Sequence, residues 1–216
     1  RQIGPGGRGK STFANLCCAL IGNGNYASTT LNQLEQSRFE IASIKGKRLT
    51  LINDSERYGG SAQIFKALTG GDNLRFEEKN KNVGEPFVYT GMVMVCANEP
   101  IQTTDNTSGL TRRRLTVEFN RPLWDKNSQA VEMIKLENGE VNGLWKSYLP
   151  GLVNWVLAMD SKDMREYLLD TYEKVHHLKS VRNSILLTSN NLVEWLQSEV
   201  VYLSLIHISE PTRPVL

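Results

Sequence analysis

The chain has 216 residues, of which 40% are hydrophobic and 22% are charged, and this composition is typical of one ordinary globular domain. A formal net charge of +2 is too small to indicate a nucleic-acid partner, because only a clustered basic surface does so. Three cysteines without metal-ligand spacing argue against a disulfide framework and favour a reducing, cytoplasmic compartment, and the longest apolar stretch, residues 152–159, is too short for a membrane span.

The predicted elements alternate between helix and strand. A helix follows residue 12 and ends at the cluster from Gly22 to Asn25, and a weaker helical pattern covers residues 28–40. The remaining predictions, in chain order, are a buried parallel strand over 49–52, a helix over 61–68 that stops by Gly71, a hairpin-like segment over 74–89, a second buried strand over 92–97, a third strand over 115–119, and a helical pattern from residue 129 with Trp145, Leu149, Leu152, Trp155 and Val156 as apolar anchors.

Both ends of the chain indicate a fragment. The chain starts without methionine, and a glycine-rich turn follows after three residues, so we expect most of the preceding strand to be missing. Residues 204–216 read SLIHISEPTRPVL and resemble a translated sequencing-adapter tail, with a genuine disordered terminus as the alternative.

The segment from Gly4 to Ser11 fits the pattern G-x-x-x-x-G-K-S of a phosphate loop, in which glycines let backbone N–H groups curl around phosphates. Lys10 is expected to reach the outer phosphates and Ser11 to ligate magnesium, and the following helix directs its positive end at the anion. The alternative is a chance match in a glycine-rich loop. The residues predicted to contact the nucleotide are Gly4, Pro5, Gly6, Gly7, Arg8, Gly9, Lys10, Ser11 and Thr12.

Acidic and amide side chains follow the two buried strands. Asp54 and Glu56 come after residues 49–52, where an ATPase places the acid that holds magnesium and the carboxylate that orients water. We assign Asp54 to the metal and Glu56 to the water, with a solvated loop acid or a helix-capping acid as the alternative for Glu56. Asn98 ends the strand over 92–97 and is expected to hold the attacking water or the outer phosphate, unless it only turns the chain.

Three consecutive arginines, Arg112, Arg113 and Arg114, precede the third strand. One of them is a candidate arginine finger, which stabilises charge in a phosphoryl-transfer transition state across a subunit interface and so implies a ring. A solvated or acid-paired basic cluster is the alternative.

Five segments in this order, GPGGRGKST, GKRLTLINDSE, FKALTGGDNLRFEEK, MVMVCANEP and LTRRRLTVEF, resemble the superfamily 3 helicase module of phage and plasmid primase-helicases. The resemblance covers residues 4–119 and extends more weakly over 149–201. It implies that Lys10 and Ser11 bind ATP and magnesium and that Asp54 is the Walker B acid. It also implies a sensor role for Asn98, an arginine finger at Arg112 or Arg113, a homo-hexamer, and a primase domain upstream.

Contact with single-stranded DNA is predicted for the hairpin-like segment, where Lys79 and Lys81 lie among aromatic residues. Acidic neighbours dilute the positive field, so an exposed hairpin of mixed charge is the alternative. The adjacent histidines His176 and His177 lack the companions of a metal site, and the tryptophans at helical spacing are interpreted as core.

Together these patterns predict an α/β three-layer P-loop NTPase of the AAA+ type with a parallel sheet, followed by a small helical region. We divide the chain into an ATPase core over 1–125, a helical region over 126–203 and a non-native tail over 204–216. The predicted function is ATP-driven movement on single-stranded DNA during replication, in a bacterial host cell and from a phage or mobile element. The alternatives are an ATP-dependent initiator or switch that does not unwind DNA, and a small-molecule kinase.

Overall fold

The computed structural model describes residues 2–3, 7–53, 62–77, 84–98, 113–120 and 131–189. The strands up to residue 120 are β1 (Gln2–Ile3), β2 (Tyr26–Thr29), β3 (Leu49–Asn53), β4 (Asn73–Leu74), β5 (Phe87–Val88), β6 (Met92–Cys96) and β7 (Val117–Glu118). Five of them form one parallel sheet in the order β2-β3-β6-β1-β7, with the short β1 between β6 and β7. The helices around this sheet are α1 (Lys10–Ile21), α2 (Leu31–Gln36), α3 (Arg38–Ile44) and α4 (Gln63–Gly70).

The strands predicted over 49–52 and 92–97 are confirmed as β3 and β6, and the third is the shorter β7. The helix predicted over 61–68 is α4, which ends at Gly71 with a φ of 80°, a left-handed conformation that favours glycine. Gly22 ends α1 in the predicted place. Strands and helix ends are therefore predicted correctly where an apolar run is flanked by turn residues.

Apolar residues fill both faces of the sheet. On one face, Ala14 and Cys18 of α1 pack against Leu49, Leu51 and Met94. On the other, Ile52 and Val95 join the side chains of α2, α3 and α4, among them Leu31, Leu34, Ile41, Ile44 and Leu68. Successive residues of β3 therefore enter different clusters, as the alternation of side chains along a strand requires, and helices cover both faces.

The weak helix predicted over 28–40 is wrong at its start. Ser28 and Thr29 belong to β2, which pairs with β3 along its whole length, and Thr29 is buried. The helix begins only after Thr30, whose hydroxyl accepts from the backbone N–H of Gln33 while the Gln33 side chain accepts from the backbone N–H of Thr30. This capping box separates the strand from the helix, and a break at Ser37 then divides the helical stretch into α2 and α3.

The hairpin-like segment predicted over 74–89 is confirmed at its base, where β4 and β5 pair in antiparallel fashion. Phe76 anchors this base: it is 1% exposed, and its ring meets that of Phe87 edge-on, with the ring centroids 5.6 Å apart. The ammonium of Lys45, the residue after α3, lies 4.3 Å from the Phe76 ring centroid, and Gly84 lies so close to this ring that a Cβ there would collide with it. The two arms of the hairpin are therefore packed through one phenylalanine.

The part of the chain described after residue 131 is not wholly helical, which corrects the pattern predicted from residue 129. Its elements are β8 (Lys135–Glu137), β9 (Glu140–Asn142), a 3-10 helix (Leu144–Tyr148), α5 (Leu149–Leu157), α6 (Ser161–Leu169), α7 (Thr171–Lys174) and α8 (His176–Ser189). The first two form an antiparallel hairpin, turned by Asn138 and Gly139 with φ angles of 51° and 82°. An Asn-Gly pair in this left-handed conformation is a strong hairpin signal, and it was present in the sequence.

Trp155 is not a core residue, contrary to the prediction: it is 61% exposed, and Leu157 beside it is 77% exposed. Trp145 is half-buried. Helical spacing shows that apolar residues share a face, but it does not show whether another element covers that face. Among the described helices, none combines the length and the apolar character that crossing a bilayer requires.

A buried hydrogen bond ties the end of the β4–β5 hairpin to the centre of the sheet. The hydroxyl of Thr50, a fully buried residue of β3, donates to the Tyr89 hydroxyl at 2.9 Å, and Tyr89 donates to the Met92 carbonyl at 3.2 Å. Burial raises the pKa of Tyr89, so the phenol stays protonated and able to donate. Gly91 leaves room for this hydroxyl, since a Cβ there would collide with it.

We expect Tyr89→Phe to lower the free energy of unfolding by about 1–3 kcal/mol, because it leaves the Thr50 hydroxyl buried without this partner. Urea denaturation followed by circular dichroism measures the change. The double variant Thr50→Val/Tyr89→Phe is the control, because removing both polar groups should restore part of the loss. A double variant less stable than the sum of the two single ones would contradict the assignment.

Candidate nucleotide-binding site

The turn that leads into α1 has the backbone geometry of a tight glycine loop. Gly7 and Gly9 have φ angles of 71° and 87°, in the left-handed region where a side chain is strained. Gly9 is the residue before α1, and no side chain in the described part of the chain caps the helix there. The first turn of the 12-residue α1 carries the positive end of the helix dipole, and this end of a helix favours an anion.

Lys10 is the first residue of α1 and is only 8% exposed. Burial lowers the pKa of Lys10, the nearby Cys96 thiol opposes this effect, and Arg8 adds to the lowering. Cys96 ends β6, so the lysine lies against the end of the strand next to β1. A partly desolvated ammonium gains more from an anionic ligand than a fully hydrated one, because less water must be displaced from it.

The carboxyl ends of β1, β3 and β6 lie at the same edge of the sheet. The pairing places Gln2 of β1, Cys96 of β6 and Asn53 of β3 at the same level. Because these strands are parallel, the phosphate loop, Asn98 and residue 54 all follow from this carboxyl edge. Asn98 is exposed, as a residue that contacts a ligand from this edge must be. The prediction that Asp54 and Glu56 approach the loop concerns residues outside the described ones.

Asn53 and Ser28 are two polar residues at this edge that the sequence analysis missed. The Asn53 side-chain amide donates to the Ser28 hydroxyl at 3.0 Å, which links the ends of β3 and β2. Both residues are exposed. Asn53 closes a predicted strand immediately before Asp54, so its position was visible in the sequence, whereas Ser28 was hidden by the assignment of residues 28–40 to a helix.

Arg113 lies at the other edge of the sheet. It precedes β7, whereas the phosphate loop follows β1, and these two adjacent strands are parallel. Arg113 is exposed beside Gly70 at the end of α4, where a Cβ would lie 3.2 Å from the guanidinium and 3.1 Å from the Asp72 carboxylate. Arg113 therefore comes before the amino end of β7, whereas the glycine turn follows the carboxyl end of β1.

Several predicted site residues lie outside the described part of the chain: Gly4, Pro5, Gly6, Asp54, Glu56, Lys79, Lys81 and Arg112. Of the others, Ser11 is exposed and Thr12 half-buried in the first turn of α1. His176 and His177 are exposed, and the described residues contain no group of three or more histidine, cysteine or acidic side chains that would hold a metal ion.

The described residues thus define an α/β protein in which a strand inside a parallel sheet leads through a glycine turn to a helix that starts with a buried lysine. A family model described as "Family of unknown function (DUF5906)" matches residues 2–114, and the chain belongs to this family.

Three relatives extend the comparison. The chain is 29% identical to the uncharacterized mitochondrial protein ymf20 of Marchantia polymorpha, over 56% of this chain and 71% of that protein. It is 25% identical to the initiator protein NS1 of Hamster parvovirus H1, over 98% of this chain and 33% of that protein. It is 24% identical to the initiator protein NS1 of Aleutian mink disease parvovirus (strain G), over 61% of this chain and 22% of that protein. The chain spans about a third or less of these two initiator proteins.

Proposed function

We propose that this chain is a P-loop NTPase module of the AAA+ type that hydrolyses ATP to drive movement on single-stranded DNA in replication. The observation that carries the proposal is the buried Lys10 at the start of α1, directly after a left-handed glycine and against the end of a neighbouring strand. The resemblance to superfamily 3 helicases and the similarity to two proteins named as initiators support a role in replication.

The residues present fit a nucleoside triphosphate with magnesium. Gly7 and Gly9 carry no side chain that would block a phosphate, Lys10 supplies a cation for the outer phosphates, and Ser11 is exposed. Magnesium, held by Ser11 and Asp54, supplies neutralising charge when bound. Glu56 accepts the proton of the attacking water, and Asn98 orients that water or the outer phosphate.

A second subunit completes this proposed site. Arg113 precedes the amino end of β7, whereas the glycine turn follows the carboxyl end of β1, and this supports a role for Arg113 at the nucleotide of a neighbouring copy. It is exposed, and a neighbouring copy that presents its phosphate loop to this edge receives the guanidinium. A ring of identical subunits, a hexamer by the family resemblance, repeats this contact at every interface. Lys79 and Lys81 are the proposed contacts to the DNA strand.

The second candidate is an ATP-dependent initiator or switch that assembles on DNA without unwinding it. The names of the two NS1 relatives, both initiator proteins, favour it. It uses the same pocket, so the site geometry does not separate it from a motor. A strand-displacement assay on a forked DNA duplex does: the motor separates the strands in an ATP-dependent manner, and the switch binds the duplex without separating them.

We expect single-stranded DNA to stimulate ATP turnover and Lys10→Ala to lower turnover about 10²-fold or more, since this removes the cation that faces the developing charge. Phosphate release, measured with and without DNA, tests this. Lys162→Ala changes an exposed lysine in α6 and should stay within about twofold of the unmodified chain. Equal turnover by the Lys10→Ala variant and the unmodified chain would refute the proposed function.

A further inference from the structure

The helices at the end of the described chain contact the arginine segment. Tyr172 in α7 donates its hydroxyl hydrogen to the Arg114 backbone carbonyl at 2.6 Å. The two residues are 58 positions apart in the chain, and the bond is partly buried. A short hydrogen bond in a partly buried place holds a backbone carbonyl at a defined position. The main chain beside Arg113 is thus held by a residue of the C-terminal region.

Arg182 of α8 reinforces the Tyr172 contact. Its guanidinium carbon lies 4.7 Å from the centroid of the Tyr172 ring, in a cation–π arrangement. Val181 and Ile185, one residue before and three after Arg182, are each 4% exposed, so α8 is packed on the side that bears these residues. The tyrosine ring is therefore fixed by a helix that is itself anchored, and its hydroxyl has little freedom to leave the carbonyl.

The two neighbouring arginines have different surroundings. The Arg114 side chain is half-buried, and this burial lowers its pKa, whereas Arg113 is exposed next to Gly70 and Asp72. Arg113 and Arg114 share a peptide bond, so holding the Arg114 main chain limits the positions that the Arg113 main chain can take. The Arg113 guanidinium then lies beside Gly70 and Asp72.

We propose that Tyr172, supported by Arg182, is a positioning residue that holds Arg113 in place for the nucleotide of the adjacent subunit. This inference rests on the proposed function. Tyr172 touches no nucleotide itself: it acts through the main chain of the arginine segment, and it makes the helices after residue 160 part of the active site of the neighbouring copy. A shift of α7 against the sheet would move Arg113 and slow ATP hydrolysis in the adjacent subunit.

The test uses the full chain and mixtures of variants. Tyr172→Phe removes only the hydroxyl, and we expect it to lower ATP turnover about fivefold to tenfold, the factor that one lost hydrogen bond implies, with KM changed less than about twofold. Tyr167→Phe, at an exposed tyrosine of α6, is the matched control and should leave turnover within about twofold of the unmodified chain. Far-UV circular dichroism establishes that each variant is folded.

Mixtures of variant subunits test whether Tyr172 acts together with the arginine or together with the phosphate loop of the proposed site. A Tyr172→Phe subunit keeps its phosphate loop, and a Lys10→Ala subunit keeps its arginine, so their mixture should turn over faster than the average of the two alone. A mixture of Tyr172→Phe with Arg113→Ala should show no gain, because both lack a correctly placed arginine. Arg182→Met, which removes the cation over the ring, should behave as Tyr172→Phe does, and it serves if the latter does not fold.

The outcomes separate the two proposals. If Lys10→Ala and Arg113→Ala restore each other's turnover but Tyr172→Phe and Lys10→Ala do not, only the role of Tyr172 is overturned. If Lys10→Ala and Arg113→Ala do not restore each other, Arg113 does not act across subunits, and the assignment of Arg113 and the role of Tyr172 both fall. A merely structural tyrosine would lower the activity of every mixture alike.

Discussion

Arg113→Ala is expected to lower ATP turnover on the order of 10³-fold while ATP binding changes little. Its guanidinium lies at the edge of the sheet opposite the phosphate loop of the same chain, so its loss leaves the pocket of its own subunit intact. In the proposed ring, the neighbouring site then lacks the charge that would stabilise the transferring phosphoryl group. Phosphate release at saturating ATP gives the turnover, and titration with a fluorescent ATP analogue gives the binding.

Two variants sharpen this prediction. Arg113→Lys keeps a positive charge but loses the planar fork of donors, so we expect it to recover only a small part of the turnover. Arg165→Ala removes an exposed arginine of α6, and we expect turnover within about twofold of the unmodified chain. An Arg113→Ala variant with undiminished turnover would exclude this arginine as the finger and leave Arg112 as the candidate.

Phe76→Ala is expected to lower the free energy of unfolding by about 3–5 kcal/mol, the range for a phenylalanine removed from a tight core. Phe76 is 1% exposed, meets Phe87 edge-on and lies against Gly84 and the Lys45 ammonium. Its removal leaves a cavity between β4, β5 and α3, and Gly84 has no side chain to fill it. Urea denaturation followed by circular dichroism measures the loss as a lower midpoint at a similar slope.

Phe39→Ala is the matched control for this measurement, because Phe39 belongs to α3, whose Ile41 and Ile44 share a core cluster with Phe76, and is 49% exposed. Its loss should cost less than about 1 kcal/mol. Phe76→Leu keeps most of the apolar volume and should fall between the two, and it remains measurable if the alanine variant does not fold. Equal losses for Phe39→Ala and Phe76→Ala would show that the hairpin base does not depend on this ring.

The parts of the fold that the sequence predicts are those with local causes. The strand β3 is an apolar run after a Gly-Lys-Arg turn, α4 ends at consecutive glycines, and the turn before α1 is marked by glycines spaced as a phosphate loop requires. In each case the residues that decide the conformation are neighbours in the chain. Ser28 and Thr29 were misassigned because the strand β2 is short and polar and is stabilised by its pairing with β3. The capping-box residues Thr30 and Gln33, which mark the true start of the helix, were visible in the sequence.

Whether the apolar face of a helix is buried depends on the elements that pack against it. The spacing of Trp155 was read correctly as helical, but its environment was not, since no described element covers that side of α5. The hairpin of β8 and β9 shows the opposite case, because its Asn138-Gly139 turn was in the sequence and was overlooked in favour of the helical pattern.

By itself the sequence determined the chemical groups available to this protein: a glycine-rich segment ending in Lys10 and Ser11, acidic residues after a buried strand, and a run of arginines. Only the tertiary structure decided how these groups are distributed. The strand order places Lys10 and Asn98 at one edge and Arg113 at the other, and a tyrosine 58 residues away holds the arginine segment. The physical reason is that strand pairing and burial depend on partners distant in the chain, which no local pattern records.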